Sequence, residues 1–197
     1  MWFVDASYCD VPKYATLKNK GSIPYRMSYF SAECDSPSPK KYTLWLVLES
    51  DVAKASPYYA AKERFFPENE NAGFDLISTE SSAGRHSYLS DLGVRAAMTL
   101  GDSLTPETTV HYRLVPRSSI YKTGYMMANS EGIIDRSYRG VLKAPLVSVG
   151  QQPVGLCSGD RHVQIVAPDL GWIHSVRIVE SLPISRRGEG GFGSTGS

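Results

Sequence analysis

Five short segments of this 197-residue chain carry side chains that suit the binding of an anion. In chain order they read AGFDL at 72–76, PRSS at 116–119, GIIDRSYRG at 132–140, GDRHVQ at 159–164 and RGEGGFGSTG at 187–196. Guanidinium groups, hydroxyls and glycine-rich backbone all donate hydrogen bonds to phosphate oxygens. Asp135 adds a carboxylate that could act as a general base toward water. Taken singly, each segment is explained as well by an ordinary turn, hairpin or strand end.

The last segment contains Gly188-x-Gly190-x-x-Gly193, which matches the pattern of a dinucleotide-binding loop. That loop requires a following helix and an acidic residue about 20 positions further on. Only four residues follow Gly193 here, so we expect no dinucleotide-binding fold. The segment still combines the charge of Arg187 with the aromatic ring of Phe192 and with two hydroxyls. A flexible tail without a ligand remains the alternative interpretation of these residues alone.

Several other classes of site find no support in the sequence. It has no GxxxxGK[ST] or HExxH motif, its four histidines show no metal-ligand spacing, and its three cysteines form no CxxC pair. A net charge of +1 provides no overall basic field for nucleic acid or an anionic membrane. The longest apolar run, near residues 42–48, is far shorter than the ~20 residues that span a bilayer. We therefore predict a reduced intracellular protein, cytoplasmic or nuclear, without nucleic-acid or membrane partners.

The elements that must position these segments are predicted to be short strands. Gly and Pro, 17 and 12 residues respectively, interrupt the chain too often for many long helices. Between them lie β-rich runs at 42–48, 110–115, 141–149, 162–166 and 175–179. In the run at 162–166, His162 and Gln164 alternate with Val163 and Ile165, which predicts one polar and one apolar face. The pattern indicates a β-sandwich or barrel. One helix is predicted at 51–66, although Pro57 lies inside it.

The composition also divides the chain into three parts. Residues 1–41 are rich in Tyr, Ser, Lys and Pro and end in SPSPKK, which is typical of a linker. They form an N-terminal extension to which we assign no role. Residues 42–185 form the β domain, and residues 186–197 form a Gly-rich C-terminal tail that we expect to be mobile until a ligand binds.

Together and in this order, the five segments resemble the five motifs of the trimeric dUTPase family. The resemblance extends from about residue 42 to the C-terminus. It implies an all-β, jelly-roll-like β-barrel that forms a homotrimer with shared active sites. It also implies hydrolysis of dUTP to dUMP and pyrophosphate, with Mg²⁺ held mainly by the triphosphate. Such an activity keeps uracil out of DNA and supplies dUMP.

The resemblance further implies a role for each matching residue. Asp135 would activate the attacking water, and Tyr138 would pack against the deoxyribose and reject a 2′-hydroxyl. Asn129 and the backbone around Gly132 would contact the edge of the uracil. The residues expected to bind phosphates are Arg117, Ser118, Ser119 and Gln164, together with the tail residues Arg187, Gly193, Ser194 and Thr195. Phe192 would stack on the base, and Asp75 would act near the metal through water. The tail would cross to a neighbouring subunit's site.

Two alternatives remain beside this hypothesis. One is a dCTP deaminase on the related fold, in which a glutamate follows the third motif. No Asp or Glu occurs between Asp135 and Asp160 here, which argues against deamination. The other is a trimeric binding or regulatory protein that has lost catalysis, against which the retained Asp135 and the complete tail argue.

Overall fold

The computed structural model describes residues 40–62, 71–82, 84–149 and 155–190. Most of the predicted N-terminal extension and the end of the tail lie outside these residues. The predicted division at 41/42 and 185/186 therefore stays a prediction. Among the described residues, no helix is long and apolar enough to cross a membrane.

The described part of the chain consists mainly of strands, which confirms the predicted all-β class. The strands are β1 Lys41–Leu48, β2 Gly73–Ile77, β3 Ser87–Asp91, β4 Val94–Leu100, β5 Thr109–Val110, β6 Tyr112–Pro116, β7 Tyr125–Met127, β8 Gly132–Ile134, β9 Lys143–Ser148, β10 Arg161–Val166 and β11 Trp172–Ile178. They form three sheets with the orders β11-β1-β4-β5, β2-β10-β6-β8 and β3-β9-β7. As the described strands pair, none of the three sheets closes on itself, and the arrangement is consistent with a jelly roll.

The first sheet is built around β1. This strand pairs in parallel with β11 and antiparallel with β4, and its residues 42–47 are all buried. A strand covered on both faces favours the continuous apolar run that the sequence shows here. Leu44 and Leu46 have no exposed surface and belong to the same core as Met98 and Ile165. The first two sheets therefore share one hydrophobic core.

The second sheet carries residues of four of the five sequence motifs, and its neighbouring strands β2, β10 and β6 bring three of them together. Its strand β10 lies between β2 and β6, with Gln164 opposite Asp75 on one side and Val115 on the other. A shift in register between Arg161 and Val163 interrupts the β10–β2 pairing. As a result His162, which simple alternation places on the polar face with Gln164, is buried with 6% of its surface exposed. The prediction of strict alternation in this strand is therefore wrong at His162.

The predicted helix at 51–66 is two helices in the structure, α1 Asp51–Lys54 and α2 Pro57–Lys62. Ser50 caps α1 by accepting a hydrogen bond from the Ala53 amide at 3.0 Å. Pro57 has no amide hydrogen to donate and therefore begins the second helix. Residues 63–66 lie outside the described residues.

The segment between β7 and β8 connects two different sheets. β7 pairs with β9 in the third sheet, and β8 pairs with β6 in the second. These two strands therefore do not form a hairpin with each other. The turn that joins them lies at the edge of a cavity described below.

Candidate functional site

A cavity of about 470 Å³ lies over the second sheet, and we call it the arginine cavity. Its polar lining residues include Tyr58, Asp75, Arg117, Ser118, Arg161 and Gln164. Four of these residues, Asp75, Arg117, Ser118 and Gln164, were assigned from the sequence to phosphate or metal binding. The neighbouring positions of β2, β10 and β6 explain why residues from three separate motifs meet here.

Asp75 pairs with two arginines in the arginine cavity. Its Oδ1 lies 2.8 Å from Nε of Arg117, and its Oδ2 lies 3.1 Å from a terminal nitrogen of Arg161. The Asp75 side chain retains only 17% of its exposure, so these pairs are partly shielded from water. The carboxylate holds the two guanidinium groups close together, although they repel each other. Two neighbouring guanidinium groups suit a polyanion.

The backbone also fixes Arg117. Its amide donates to the carbonyl of His162 at 2.8 Å, and its guanidinium donates to the carbonyl of Arg161 at 2.8 Å. After Arg117 the chain turns into the 3₁₀-helix Ser118–Thr123, and the Ile120 amide donates to the Arg117 carbonyl. This turn leaves Ser118 exposed at the cavity, and Ser119 is its half-buried neighbour.

The position of the Gln164 side chain requires glycine at residue 73. A Cβ atom on Gly73 would lie 2.2 Å from Oε1 of Gln164 and 2.7 Å from its Cδ. Because Cβ contacts below 3.0 Å essentially do not occur, any larger residue at position 73 would displace the amide. The Gln164 amide nitrogen is 3.5 Å from the Pro116 carbonyl, a long contact that leaves the amide able to rotate toward a ligand.

Two residues of the arginine cavity were not assigned from the sequence. Arg161 lies within the fourth motif, and a cation at the start of a strand could have suggested it. Tyr58 comes from α2, outside all five motifs, and its ring centre is 4.8 Å from Cζ of Arg161. Burial and, secondarily, the charge of Asp75 raise the pKa of Tyr58 to about 12, so the phenol stays neutral.

His162 follows Arg161 of the arginine cavity in β10. Its Nε2 is buried without a hydrogen-bond partner among the described residues. Burial lowers the pKa of His162, and the nearby charge of Arg117 adds to this effect while Asp160 opposes it. The side chain is therefore a neutral imidazole within the packing of β10.

A second cavity, of about 200 Å³, lies beside β8, and we call it the Asp135 cavity. The predicted residues that line it are Asn129, Gly132, Asp135, Tyr138 and Arg187. Leu114, Met127 and Leu142 add apolar surface. A small, half-apolar cavity with a few polar groups suits a base and a sugar better than a polyphosphate.

The Asp135 carboxylate has two neighbours. Its Oδ2 forms an ion pair with the guanidinium of Arg187, and its Oδ1 lies 3.4 Å from Nδ1 of His111. The same Nδ1 is 3.3 Å from the backbone amide of Arg136, which can only donate. Nδ1 therefore acts as an acceptor toward that amide, and Arg187 is the residue whose guanidinium pairs directly with Asp135.

Tyr138 forms one wall of the Asp135 cavity. Its hydroxyl donates to the Val141 carbonyl at 3.1 Å, which fixes the ring. Burial raises the pKa of Tyr138, and Glu189 adds to the effect. Gly140 gives the ring its space, because a Cβ there would lie 2.5 Å from the Tyr138 hydroxyl and 3.0 Å from the Glu189 carbonyl.

A tight turn presents Asn129 and Gly132 to the same cavity. The Ser130 amide donates to the Met127 carbonyl at 3.1 Å, and Ser130 adopts a left-handed φ of 59°. A Cβ on Gly132 would have ordinary contacts with Leu114 at 3.5 Å and with the Asn129 amide at 3.8 Å. A methyl group at position 132 would thus fill cavity space without a clash.

The start of the tail packs against the third motif of its own chain. The Arg139 amide donates to the Gly188 carbonyl at 2.8 Å, and Ser185 donates to the Ser137 carbonyl. The buried Arg139 guanidinium donates to three carbonyls, those of Pro183 at 2.9 Å, Arg136 at 2.7 Å and Tyr138 at 2.8 Å. These bonds place Arg187 on the Asp135 of the same chain. In the single chain Arg187 thus pairs with the Asp135 of its own chain, and the crossing of the tail to a neighbouring subunit's site stays a prediction.

The remaining predicted tail residues, Phe192, Gly193, Ser194 and Thr195, lie outside the described residues. Among the residues that are described, the two cavities share none of their lining residues. One chain thus separates the groups suited to phosphates from the carboxylate suited to activating water.

Metal binding by the protein alone finds little support in the described part of the chain. No group of three or more His, Cys, Asp or Glu side chains there is arranged to hold a metal ion. Both oxygens of Asp75 already accept hydrogen bonds from arginines.

Several known proteins are similar to this chain. The dUTPase family model matches residues 66–196. The deoxyuridine 5′-triphosphate nucleotidohydrolase of Wolinella succinogenes is 38% identical over 126 residues, which cover 64% of this chain and 80% of that protein. The corresponding protein of Clostridium tetani is 31% identical over 157 residues, covering 79% and 98%.

Two further similarities extend over shorter parts. The nucleotidohydrolase of Escherichia phage T5 is 43% identical over 84 residues, covering 43% of this chain and 57% of that protein. The crystal structure of dUTPase from Streptococcus mutans matches with a TM-score of 0.40 and 32% identity, covering 51% and 79% of the two chains. Because the family model matches most of the chain and the Clostridium tetani protein is similar over nearly its whole length, this chain belongs to the dUTPase family.

Proposed function

We propose that this protein hydrolyses dUTP to dUMP and pyrophosphate by attack of water on the α-phosphate. The observation that carries the proposal is that a candidate base, Asp135, lines a cavity large enough for a nucleoside. The arginine cavity of the same chain holds two adjacent arginines. Membership in the dUTPase family and the names of its relatives support the choice of substrate.

The Asp135 cavity would receive the nucleoside. The turn at Asn129 and Gly132 offers an amide side chain and backbone groups, which can form hydrogen bonds with the edge of a uracil. The Tyr138 ring, fixed through the Val141 carbonyl, would lie against the deoxyribose and leave no room for a 2′-hydroxyl. Discrimination against UTP then comes from steric conflict with that ring.

The arginine cavity would receive the phosphates. Arg117, Ser118, Ser119 and Gln164 supply donors, and Arg161 adds a second guanidinium. A triphosphate competes with Asp75 for these arginines because it carries more charge than one carboxylate. Phosphoryl transfer requires little covalent chemistry from the protein, so alignment and neutralisation of charge are the main contributions.

Asp135 would position and deprotonate the attacking water. Its ion pair with Arg187 keeps it anionic in the substrate-free chain. A triphosphate that attracts Arg187 would release the carboxylate to accept a proton from water. In this mechanism the Arg187 side chain moves from the Asp135 carboxylate to the phosphates when substrate binds, and the remainder of the tail follows.

The tail would complete the site. Gly193, Ser194 and Thr195 would donate to the terminal phosphates and Phe192 would stack on the base, as the resemblance implies. Closing the tail over the substrate removes water and strengthens the electrostatic contacts inside.

We propose Mg²⁺ as the divalent metal, bound by oxygens of the triphosphate. When bound, it would neutralise phosphate charge and help to fix the conformation of the chain of phosphates. Asp75 is the residue closest to such a role, through an intervening water, because its own oxygens are taken by Arg117 and Arg161.

A homotrimer with shared sites would unite the two cavities. The outer face of the third sheet exposes Leu89, Met126 and Val149 and is apolar enough for a subunit contact. The same sheet supplies Lys143 and Pro145 to the Asp135 cavity, so a subunit bound there would border that cavity. The arginine cavity of the bound subunit would then face the Asp135 of the first subunit.

The proposed activity would keep uracil out of DNA and supply dUMP. Because its substrate is an intracellular nucleotide, we retain the intracellular location, cytoplasmic or nuclear, as part of the proposal.

A substrate panel tests the function. We expect pyrophosphate release from dUTP with Mg²⁺, much less from UTP and dCTP, and none when Mg²⁺ is chelated. Ammonia release from dCTP would instead indicate the deaminase alternative. Binding of dUTP without any product would indicate a regulatory protein, and either result would overturn the proposal.

A further inference from the structure

We propose that Tyr58 is a positioning residue that holds Arg161 in place for the phosphate chain of the substrate. The inference rests on the proposed function and adds to it a residue from the helical segment before the first motif. Nothing in the five motifs points to this segment, because it lies upstream of residues 72–76.

Tyr58 is held firmly at the cavity wall. It is the second residue of α2, and its ring centre lies 5.4 Å from that of Tyr59 and 5.7 Å from that of Phe74. Tyr59 is in turn anchored, since its hydroxyl accepts the Ile77 amide at 3.1 Å. The aromatic cluster therefore fixes Tyr58 to β2, the strand that carries Asp75.

Arg161 makes two kinds of contact in the cavity. Its guanidinium forms an ion pair with Asp75 at 3.1 Å, and its Cζ lies 4.8 Å from the centre of the Tyr58 ring. The distance to the ring is within the range of a cation–π interaction.

The two contacts respond differently to a polyphosphate. An anion in the cavity competes with Asp75 for the arginines, so the ion pair weakens when substrate binds. The attraction to the neutral ring remains, because a phosphate cannot take the place of an aromatic face. Arg117 has backbone contacts that hold it independently of Asp75. Tyr58 would provide the equivalent support for Arg161.

The test compares Tyr58→Leu and Tyr58→Phe in the full chain. Three probes are used: tripolyphosphate, a non-hydrolysable imido analogue of dUTP, and dUMP. Loss of a partly shielded cation–π contact predicts that Tyr58→Leu weakens binding of the first two probes by about 3- to 10-fold. Tyr58→Phe keeps the ring and should stay within about 2-fold of the original protein. Affinity for dUMP should change least, because its single phosphate lies nearest the other cavity.

Two further variants separate positioning from general damage. Tyr59→Phe leaves the Ile77 amide without this partner but keeps the ring that packs on Tyr58, so it should lower thermal stability and weaken tripolyphosphate binding less than Tyr58→Leu does. Arg161→Lys keeps the charge but loses the planar group, and its effect should not add to that of Tyr58→Leu. Additive effects of the pair, or an equal loss of affinity for all three probes, would overturn the proposal.

The tripolyphosphate measurement also distinguishes the two proposals. If dUTP is neither bound nor hydrolysed but tripolyphosphate binding still depends on Tyr58, the proposed function fails and the role of Tyr58 stands. If dUTP is hydrolysed and Tyr58→Leu binds tripolyphosphate as tightly as the original protein, the role of Tyr58 is refuted.

Discussion

The Asp135 carboxylate and the Arg187 guanidinium form an ion pair although the tail and the third motif are far apart in sequence. The pair lies within one chain and depends on the backbone bonds between residues 137–139 and 185–188. An arginine in this position keeps the carboxylate charged but also engages the oxygen that would accept a proton. In the proposed mechanism the substrate would therefore have to attract Arg187 away from Asp135.

The first prediction concerns Asp135 itself. Asp135→Asn keeps the shape of the side chain but removes the base, so kcat should fall by about 10²- to 10⁴-fold. Affinity for the non-hydrolysable dUTP analogue should change little, because the substituted group contacts water rather than phosphate. Pyrophosphate release and calorimetric binding measure the two quantities. If the kcat of Asp135→Asn stayed within a few-fold of that of the original protein, another residue would have to act as the base.

The second prediction concerns the choice of sugar by Tyr138. Tyr138→Ala removes the ring and should raise the ratio of kcat/KM for UTP to that for dUTP. Tyr138→Phe is the matched control, since it loses only the hydrogen bond to Val141 and should keep the original preference. An unchanged ratio in the alanine variant would contradict the placement of the ring beside C2′.

Gly140 offers an independent way to move the same ring. The Cβ of Gly140→Ala would lie 2.5 Å from the Tyr138 hydroxyl, so the ring must shift. Its backbone neighbour, the Glu189 carbonyl at 3.0 Å, also restricts the methyl group. We expect Gly140→Ala to reduce discrimination against UTP in the same direction as Tyr138→Ala. Retention of full discrimination would show that the ring adjusts without losing its function.

The sequence predicts which motif residues meet better than it predicts how they are held. Arg117 and Gln164 were assigned to the phosphates and Asp75 to the metal through water, and the three share a cavity because their strands are neighbours. Tyr58 could not be found this way, since nothing in a short helix near Pro57 indicates contact with Arg161. His162 could not be placed either, because a register shift beside it depends on pairing with a distant strand.

The position of Arg187 shows a similar limit. Its sequence surroundings suggest a mobile tail, and the family resemblance suggests a crossing to another subunit. What fixes it in the single chain is the burial of Arg139 among three carbonyls, which include that of Pro183. Neither composition nor spacing indicates that an arginine in the third motif would be buried for this purpose.

The third prediction follows from Arg139. Because its guanidinium bonds carbonyls on both segments, Arg139→Met should release residues 183–188 from the third motif and remove Arg187 from Asp135. We expect faster proteolytic cleavage in this segment and a lower kcat/KM for dUTP. Arg136→Met is a matched control, as that side chain is exposed and should leave the cleavage rate unchanged. Equal cleavage of both variants would contradict the role of Arg139.

The fourth prediction concerns pH and His162. Burial lowers the pKa of His162 in the folded protein, whereas in the unfolded chain it returns to about 6.5. Between these two values the unfolded chain binds more protons, so the free energy of unfolding decreases as the pH falls below about 6.5. Above that pH both states are neutral at this residue and the contribution is constant.

Urea denaturation from about pH 5 to 8 measures this dependence. His162→Leu fills the same buried space without a titrating group, so the decrease in stability toward low pH should be smaller than in the original protein. His86→Leu, at an exposed position, serves as the control and should preserve the original slope. Identical slopes for the original protein and His162→Leu would mean that other groups cause the acid sensitivity.

The last prediction tests whether one site draws on two chains. Asp135 and Arg117 line cavities that share no described residue, so a shared site would take Asp135 from one subunit and Arg117 from the next. Asp135→Ala and Arg117→Ala homotrimers should each be inactive, because every site lacks one essential group. After co-refolding in equal amounts, a site works only if its first chain keeps Asp135 and its second keeps Arg117. In a closed three-fold ring that condition holds for roughly a quarter of all sites. Pyrophosphate release from dUTP should therefore recover to about a quarter of the original activity. Mass measurements establish that mixed trimers have formed, and no recovery in their presence would show that each chain builds its own site.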